Sequence, residues 1–450
     1  MRHVFIDTFG CQMNEDDSMR MFAFLEEADY QRTNSAEAAD LIILNTCSIR
    51  DKAEHKVYSA LGRFKELKAE RPEVILVVSG CVAEQVGKTL LSRAHYLDMV
   101  IGTHNVHKIA ELVADFEAKR ARSVSTGFRE TLDPGEYRIN DIKGEGVKSF
   151  VTIMRGCNNF CSYCIVPYVR GREVSRPVAE IMAEVRELAT MGVREVTLVG
   201  QNVNSYDAEL SFPELIRKIS NEIDEILRIR FVTSHPKDIS EELINLFGEL
   251  PKLVNSLHLP VQSGSSSVLE GMGRGYSVDE YRVKLKRLKG LYPDMAITSD
   301  IIVGFPGERE EDFLATMKLI EDIRFDLIFS FRYSPRPGTK AADFTDEVEE
   351  LEGKRRLDIL QSRQKEITAE KLNALVGLVT DVLVEGPSRA SAETNGSELQ
   401  GRTPCNRVVN FVGERSIVGS VVKVKVTEAC TNSLKGALAD TTGREEKGAA

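Results

Sequence analysis

From Val147 to Tyr333 six short apolar runs recur, KSFVTIMRG, REVTLVG, RIRFVTS, NSLHLPV, AITSDIIVGF and DLIFSFRY, with helical patterns between them. A chain with this rhythm has few folds open to it, because strands alternating with helices pair in parallel and are covered on both faces. Six units predict an open or partial (β/α)6 barrel, smaller than the usual eight. Such barrels work at the C-terminal ends of their strands, and here those ends are the polar MRGC, GQNVNSY, TSHP, PVQSGS and GFPGE.

Residues 1–120 carry the same alternation in HVFIDT, DLIILNT, VILVVSG and YLDMVIG, which predicts a doubly wound parallel α/β domain. Cys11, Cys47 and Cys81 each stand just past one of these strands, in TFGCQMNE, LNTCSIRD and VSGCVAEQ. The carboxyl ends of parallel strands line one edge of a sheet, so three residues far apart in sequence can converge there. Residues 121–146 are polar, hold Gly and Pro, and read as a linker with a strand or two. The barrel domain, 147–373, ends in a charged helix, GKRRLDILQSRQKEITAEKLN. After it the period changes to two, in LVTDVLVEG, LQGRTPCNRVVNF and GSVVKVKVTEA, which predicts a small antiparallel β-barrel over 374–440. Residues 441–450 read as a disordered tail.

The 450 residues suit about three domains at roughly 150 residues each. With 42% hydrophobic and 28% charged residues the chain is neither disordered nor fibrous. A net charge of -10 argues against a protein that coats nucleic acid through its overall field, although a local basic surface stays open. The apolar runs fall short of the roughly 20 residues a membrane span needs, and the N-terminus lacks a signal-peptide core, so a cytoplasmic protein without membrane contact is expected. Eight cysteines are too few for a disulfide scaffold.

Cys157, Cys161 and Cys164 form C-x3-C-x2-C in RGCNNFCSYC at the exit of the first barrel strand. Thiols this close in a reducing compartment act as metal ligands, for zinc or for an iron-sulfur cluster. Closed zinc sites want four ligands, whereas three thiolates leave one iron of a 4Fe-4S cluster open to a substrate or cofactor. Cys11, Cys47 and Cys81 match no local ligand motif, and buried structural thiols remain an alternative reading on spacing alone. His235 and His258 at strand ends, and Cys405 and Cys430 in the C-terminal segment, read as structural. Residues 148–176 hold Lys148, Arg155, Arg170, Arg172 and Arg176 against one acid, Glu173. Such a strip can contact RNA phosphates or be a solvated charge run.

C-x3-C-x2-C after the first strand of a six-unit barrel resembles the radical S-adenosylmethionine enzymes. The resemblance implies that an open iron chelates the amino and carboxylate groups of S-adenosylmethionine, whose reductive cleavage gives a 5′-deoxyadenosyl radical. With TFGCQMN, NTCSIRDKAE and SGCVAEQ added, residues 2–440 resemble the methylthiotransferases of that superfamily. The resemblance implies two 4Fe-4S clusters: a radical cluster on Cys157, Cys161 and Cys164, and an auxiliary one on Cys11, Cys47 and Cys81 that carries sulfide or persulfide. It further implies two S-adenosylmethionine molecules per turnover, one as methyl donor and one as radical source.

VPYVRGREVSRP, LVGQNVNSY, TSHPKD, LHLPVQSGS, VLEGMGR, SDIIVGFPGE and GRTPCNRVVNF resemble the branch that methylthiolates C2 of N6-isopentenyladenosine beside the tRNA anticodon, with SPRPGT a minor departure. Adenine C2 is unactivated toward ionic substitution, which suits a radical route. By the same resemblance Tyr163, Gln201, Asn202, Ser234, Gln262, Gly304 and Phe305 contact S-adenosylmethionine. Arg170, Arg172 and Arg176, with Arg402 and Arg407 of a TRAM-like terminal barrel, contact the anticodon stem-loop. An electron donor such as flavodoxin or ferredoxin is implied as a partner. The alternatives are a methylthiotransferase for threonylcarbamoyl-adenosine or for an aspartate of a ribosomal protein, and a non-catalytic iron-sulfur RNA-binding protein.

Overall fold

A strand covered on both faces must be apolar along its whole length, and β3 (Leu41–Thr46) and β4 (Ile75–Gly80) are buried at every residue. The computed structural model describes residues 2–48, 53–133, 135–137, 146–388 and 397–439. Among them β1 (Arg2–Phe9), β2 (Tyr30–Arg32), β3, β4, β5 (Met99–Ile101) and β6 (Ser123–Ser125) form one parallel sheet in the order β2-β1-β3-β4-β5-β6. Side chains alternate across it: Ile42, Leu44, Leu76 and Val78 join the core on one face, Leu41, Ile43, Ile75 and Val77 the core on the other. β6 comes from the segment read as a linker, so part of that segment completes the sheet. The expected tail, 441–450, lies outside the described residues.

The six barrel runs become β7 (Lys148–Thr152), β8 (Glu195–Val199), β9 (Arg228–Phe231), β10 (Ser256–His258), β11 (Ala296–Val303) and β12 (Leu327–Arg332). They form two parallel three-stranded sheets, β9-β8-β7 and β10-β11-β12, bridged where Ile229 pairs with Leu253. Among the described residues β7 and β12 do not pair, so the barrel is partial and open between them.

Glu350–Asn373 is a 24-residue helix that places Leu360 and Ile367 in the barrel core and Leu372 in the core of the C-terminal domain. That domain is a closed barrel of β13 (Val379–Pro387), β14 (Glu398–Arg402), β15 (Val408–Val412), β16 (Val421–Ala429) and β17 (Leu434–Leu438), in the order β13-β14-β15-β17-β16. Its β15–β17 pair is parallel, a departure from the all-antiparallel expectation. The reason is parity: five strands around a closed ring cannot all alternate in direction. This small barrel caps the N-terminal ends of the barrel strands, where the Arg228 guanidinium donates to the Arg402 carbonyl (2.6 Å) and that of Arg230 to the Pro404 carbonyl (3.2 Å). The N-terminal sheet meets the opposite end. Among the described residues no helix is long and apolar enough to cross a membrane.

Candidate active site

Strand register brings the first cysteines together. Phe9 pairs with Thr46 and Thr46 with Gly80, so Cys47 and Cys81 leave neighbouring strands side by side, and Cys11 follows two residues after β1. The Cys47 N–H donates to the Phe9 carbonyl at 2.9 Å. Gly80 has φ +91°, and a Cβ there would lie 2.3 Å from the Thr46 carbonyl oxygen, so only glycine turns the chain into the helix that opens at Cys81. Asn14 braces the edge: its amide donates to Asn45 Oδ1 (3.1 Å) and the Thr46 carbonyl (3.2 Å), while its Oδ1 accepts from Cys11 Sγ (3.4 Å). Cys47 hydrogen-bonds both other thiols. That bond lowers Cys11 to about 6 against the upward push of burial, with the Arg170 charge assisting; Cys81 is lowered for the same reasons, and Cys47 is raised as the donor between them.

The second triad lies on a loop after β7. Gly156 has φ +77°, and a Cβ there would sit 1.9 Å from the Arg172 carbonyl oxygen, so the strand can hand over to Cys157 only through glycine. The loop is pinned by Cys157 N–H to the Gly171 carbonyl (3.1 Å), Cys164 N–H to the Cys161 carbonyl (2.9 Å) and Ser162 N–H to the Met272 carbonyl (2.9 Å). Burial, with the neighbouring thiolates adding to it, pushes Cys157 up to about 11 and Cys164 up to about 12. The buried Arg274 guanidinium donates to Cys161 Sγ and to Tyr163 Oη, both at 3.4 Å.

Cys11 and Cys81 of the first triad and all three thiols of the second line one cavity of about 880 Å³, with Cys47 buried behind them, and Cys81 packs directly on Ile165 and Val169 beyond the second triad. Tyr163, Gln201, Asn202, Ser234 and Gln262 line this cavity. The Gln201 side-chain oxygen accepts from the Gly156 N–H, and the Asn202 amide donates to Asp238 at 2.8 Å. Asn202 Oδ1, Ser234 Oγ and His235 Nε2 are buried with no protein partner, a set of polar atoms that a bound polar molecule would satisfy. Gly304 and Phe305 do not line the cavity. The Gly304 N–H donates to Glu308 (3.0 Å), and Phe305, 1% exposed, packs edge-on to Tyr333 and Phe344, so both build the turn rather than touch a ligand.

The five arginines expected on RNA do not act alike. Arg170 is buried, with its guanidinium 2.6 Å from the Asp17 carboxylate and its charge felt at Cys81 and Cys11. Arg176 is 0% exposed, 2.6 Å from Glu184, and lies over the Tyr137 ring. Arg176 cannot reach a phosphate without stranding a buried carboxylate, and Arg170, which lines the cavity beside the cysteines, is held there by Asp17. Arg402 pairs with Glu385 (3.0 Å) on the neighbouring strand of its own small barrel, and Arg407 pairs with Asp326 at the base of the larger barrel, so one charge is held within the domain and the other serves the domain junction. Only Arg172 of the five is exposed, lying over the Phe160 ring at 5.3 Å. Arg274 and Asp17 had no role from sequence; Arg274 stands in VLEGMGR, but its target, Cys161, is 113 residues away.

Each triad offers three thiols, and the cavity's remaining thiol, Cys405, is at the far end against the carbonyls of Asn255 and Asp294. Among the described residues no His, Cys, Asp or Glu group closes around a point as for a single metal ion. Three sulfur donors, no fourth ligand and a polar cavity beside them fit an iron-sulfur cluster with an open iron better than a closed zinc site.

Sequence profiles match the uncharacterized protein family UPF0004 over residues 3–102, the radical SAM superfamily over 151–320 and the TRAM domain over 373–439. Relatives named tRNA-2-methylthio-N(6)-dimethylallyladenosine synthase include one from Syntrophotalea carbinolica, 50% identical over 97% of this chain and 99% of its own length. Another, from Geotalea uraniireducens, is 51% identical over 97% of this chain and 98% of its own length. Among solved structures, the radical S-adenosylmethionine methyltransferase TsrM from Kitasatospora setae aligns over 76% of this chain and 77% of its own, with a TM-score of 0.54 at 13% identity. The cobalamin-dependent S-adenosylmethionine radical enzyme OxsB aligns over 82% of this chain and 56% of its own, with a TM-score of 0.51 at 11% identity. These two likenesses are of fold alone.

Proposed function

The chain belongs to the tRNA-2-methylthio-N(6)-dimethylallyladenosine synthase family, and from that premise we infer that it adds a methylthio group to C2 of N6-isopentenyladenosine in tRNA. It is a radical S-adenosylmethionine enzyme, which implies a 4Fe-4S cluster and S-adenosylmethionine. The finer reading is that Cys157, Cys161 and Cys164 hold the radical cluster and Cys11, Cys47 and Cys81 an auxiliary one. The observation that carries it is that Cys11 and Cys81 line the same cavity as Cys157, Cys161 and Cys164. When bound, these groups supply the electron that cleaves S-adenosylmethionine to a 5′-deoxyadenosyl radical, and the sulfur that is methylated and transferred.

The protein's own groups do the positioning. Arg274 places a fixed cation at Cys161, and Arg170 places one beside Cys81 and Cys11, so each triad's thiolate charge has a counter-charge in the buried site. Gln201 holds the cysteine loop through Gly156, while Asn202 and Ser234 present unpartnered polar atoms to S-adenosylmethionine. Burial of Cys47 and Cys81 keeps water from the sulfur. Arg172 is the member of the basic strip that remains for the anticodon stem-loop. We assign the reductant to a flavodoxin or ferredoxin and the setting to the cytoplasm.

The test is anaerobic reconstitution with iron and sulfide, then S-adenosylmethionine, reductant and an isopentenylated anticodon stem-loop. Mass spectrometry should find 2-methylthio-N6-isopentenyladenosine and 5′-deoxyadenosine. Deoxyadenosine without modified RNA would mean a wrong target. Intact clusters with neither product would mean a non-catalytic protein.

A further inference from the structure

The last barrel strand carries an apolar stripe that neither the clusters nor S-adenosylmethionine calls for. Register pairs Thr298 with Leu327, Asp300 with Phe329 and Ile302 with Phe331, and all six side chains face the large cavity. Leu327, Phe329 and Phe331 are 41%, 50% and 47% exposed, whereas Ile328 between them is 7% exposed and sits in the outer core. Three large apolar side chains left wet on one inner wall are unfavourable unless something apolar covers them.

The opposite wall differs. There the strand ends of β8 and β9 present Gln201, Asn202, Ser234 and His235, with buried polar atoms that lack protein partners. A zwitterionic cofactor with a ribose belongs on that side. The apolar side borders the unpaired edge between β7 and β12, where the barrel is open and a nucleoside can be turned in from outside. An ordinary nucleoside has no aliphatic group for such a wall; one bearing a branched five-carbon chain on N6 does.

We propose that Phe329 and Phe331, with Leu327 beneath them, form the subsite for the dimethylallyl group of the substrate nucleoside and so set the preference for prenylated over plain adenosine. The proposal rests on the substrate reading above. The rings are specificity residues, since they lie along the chain's path and not at the reacting carbon.

The test is fluorescence anisotropy of the reconstituted enzyme with two anticodon stem-loops, identical except for the dimethylallyl group, alongside turnover on the prenylated one. Covering about half of five carbons corresponds to a preference of roughly thirtyfold for the prenylated RNA. The Phe329→Ala/Phe331→Ala variant should lower that ratio to within about threefold through weaker binding of the prenylated RNA alone, with KM rising in step. Phe329→Leu and Phe331→Leu shorten the wall but keep it apolar, and should lower the ratio only a few-fold; they carry the test if the double variant loses its cluster absorbance. An unchanged ratio, or an equal loss on both RNAs as expected if the rings stack on the base itself, would overturn the proposal. Failure of the unsubstituted enzyme to modify the prenylated stem-loop would instead sink the substrate reading.

Discussion

Arg172 and Arg176 stand four residues apart in one basic strip, yet the structure assigns them opposite roles, and removing each should give opposite results. Arg176 is fully buried with its guanidinium 2.6 Å from Glu184, itself 1% exposed, and it also donates to the Thr152 carbonyl. Arg176→Met leaves that carboxylate buried without its counter-charge, a change that costs about 3–5 kcal/mol. With a urea slope of about 3 kcal/mol/M, the barrel transition should move down by about 1–1.7 M. Arg176→Met with Glu184→Leu removes both charges and should recover most of the loss, because an apolar pair of similar volume replaces a buried ion pair at little cost. Arg172→Ala should leave the stability from the same unfolding curves within about 0.5 kcal/mol of the parent. Its effect should appear in RNA binding, where losing one phosphate contact reduces the salt slope by roughly 0.7–0.9. Unfolding followed by circular dichroism and anisotropy against a stem-loop at several salt concentrations report the two quantities separately. An Arg176→Met protein with parental stability and a shallower salt slope would refute the burial argument.

Cys161→Ala should abolish the barrel cluster and with it 5′-deoxyadenosine, and undiminished deoxyadenosine from that variant would count against the assignment. Cys47→Ala should keep deoxyadenosine production and lose methylthio product, because Cys47 bonds both Cys11 and Cys81 and none of the barrel thiols; normal product would show a structural triad. His235 is lowered to about 2 by burial and by the charges of Arg274, Lys237 and Lys284. Below pH 6.5 the unfolded chain therefore binds a proton that the folded one refuses, and stability falls by about 1.4 kcal/mol per pH unit as pH drops. His235→Asn should lose about 2 kcal/mol less than the parent between pH 7 and pH 5, measured by urea midpoints, and parallel declines would exclude His235 as the source.

What could be read from the sequence followed the backbone. DLIILNT and VILVVSG are apolar throughout because β3 and β4 are covered on both faces, and their burial makes the run itself the signal. The position of Cys11, Cys47 and Cys81 beyond strands was equally legible. Their adjacency was not, since it depends on strand order and on the pairing of Phe9, Thr46 and Gly80. Charge was least legible, because an arginine's letter does not name its partner. Asp17 lies 153 residues from Arg170, and Cys161 lies 113 from Arg274. A local count of Lys and Arg treats all such residues as surface. Gly304 and Phe305 are a similar case: a strand-end turn was recognised, but the Phe305 ring is packed behind Tyr333 and Phe344, and it is Tyr333 that reaches the cavity.

The meeting of the two triads follows from one rule applied twice. A parallel sheet gathers polar residues only at its carboxyl edge, so one sheet brings one triad and a second must come from another. Here the N-terminal sheet and the barrel set those edges against each other. Beside the apolar contact of Cys81 with Ile165 and Val169, the seam carries directed polar contacts: Asp17 with Arg170, Asp16 with the Thr152 hydroxyl (2.7 Å), Thr103 with the Val169 carbonyl (2.7 Å) and His104 with the Arg170 carbonyl (2.9 Å). Such bonds add little net stability over an apolar contact of equal area. They have direction, however, and a slide of one domain over the other would leave each buried group unpaired. An apolar seam would tolerate that slide. Sulfur insertion at one carbon needs the sulfur and the radical source at a fixed separation from the same nucleoside, and on the two-cluster reading proposed above these polar contacts hold the domains in the register that fixes it.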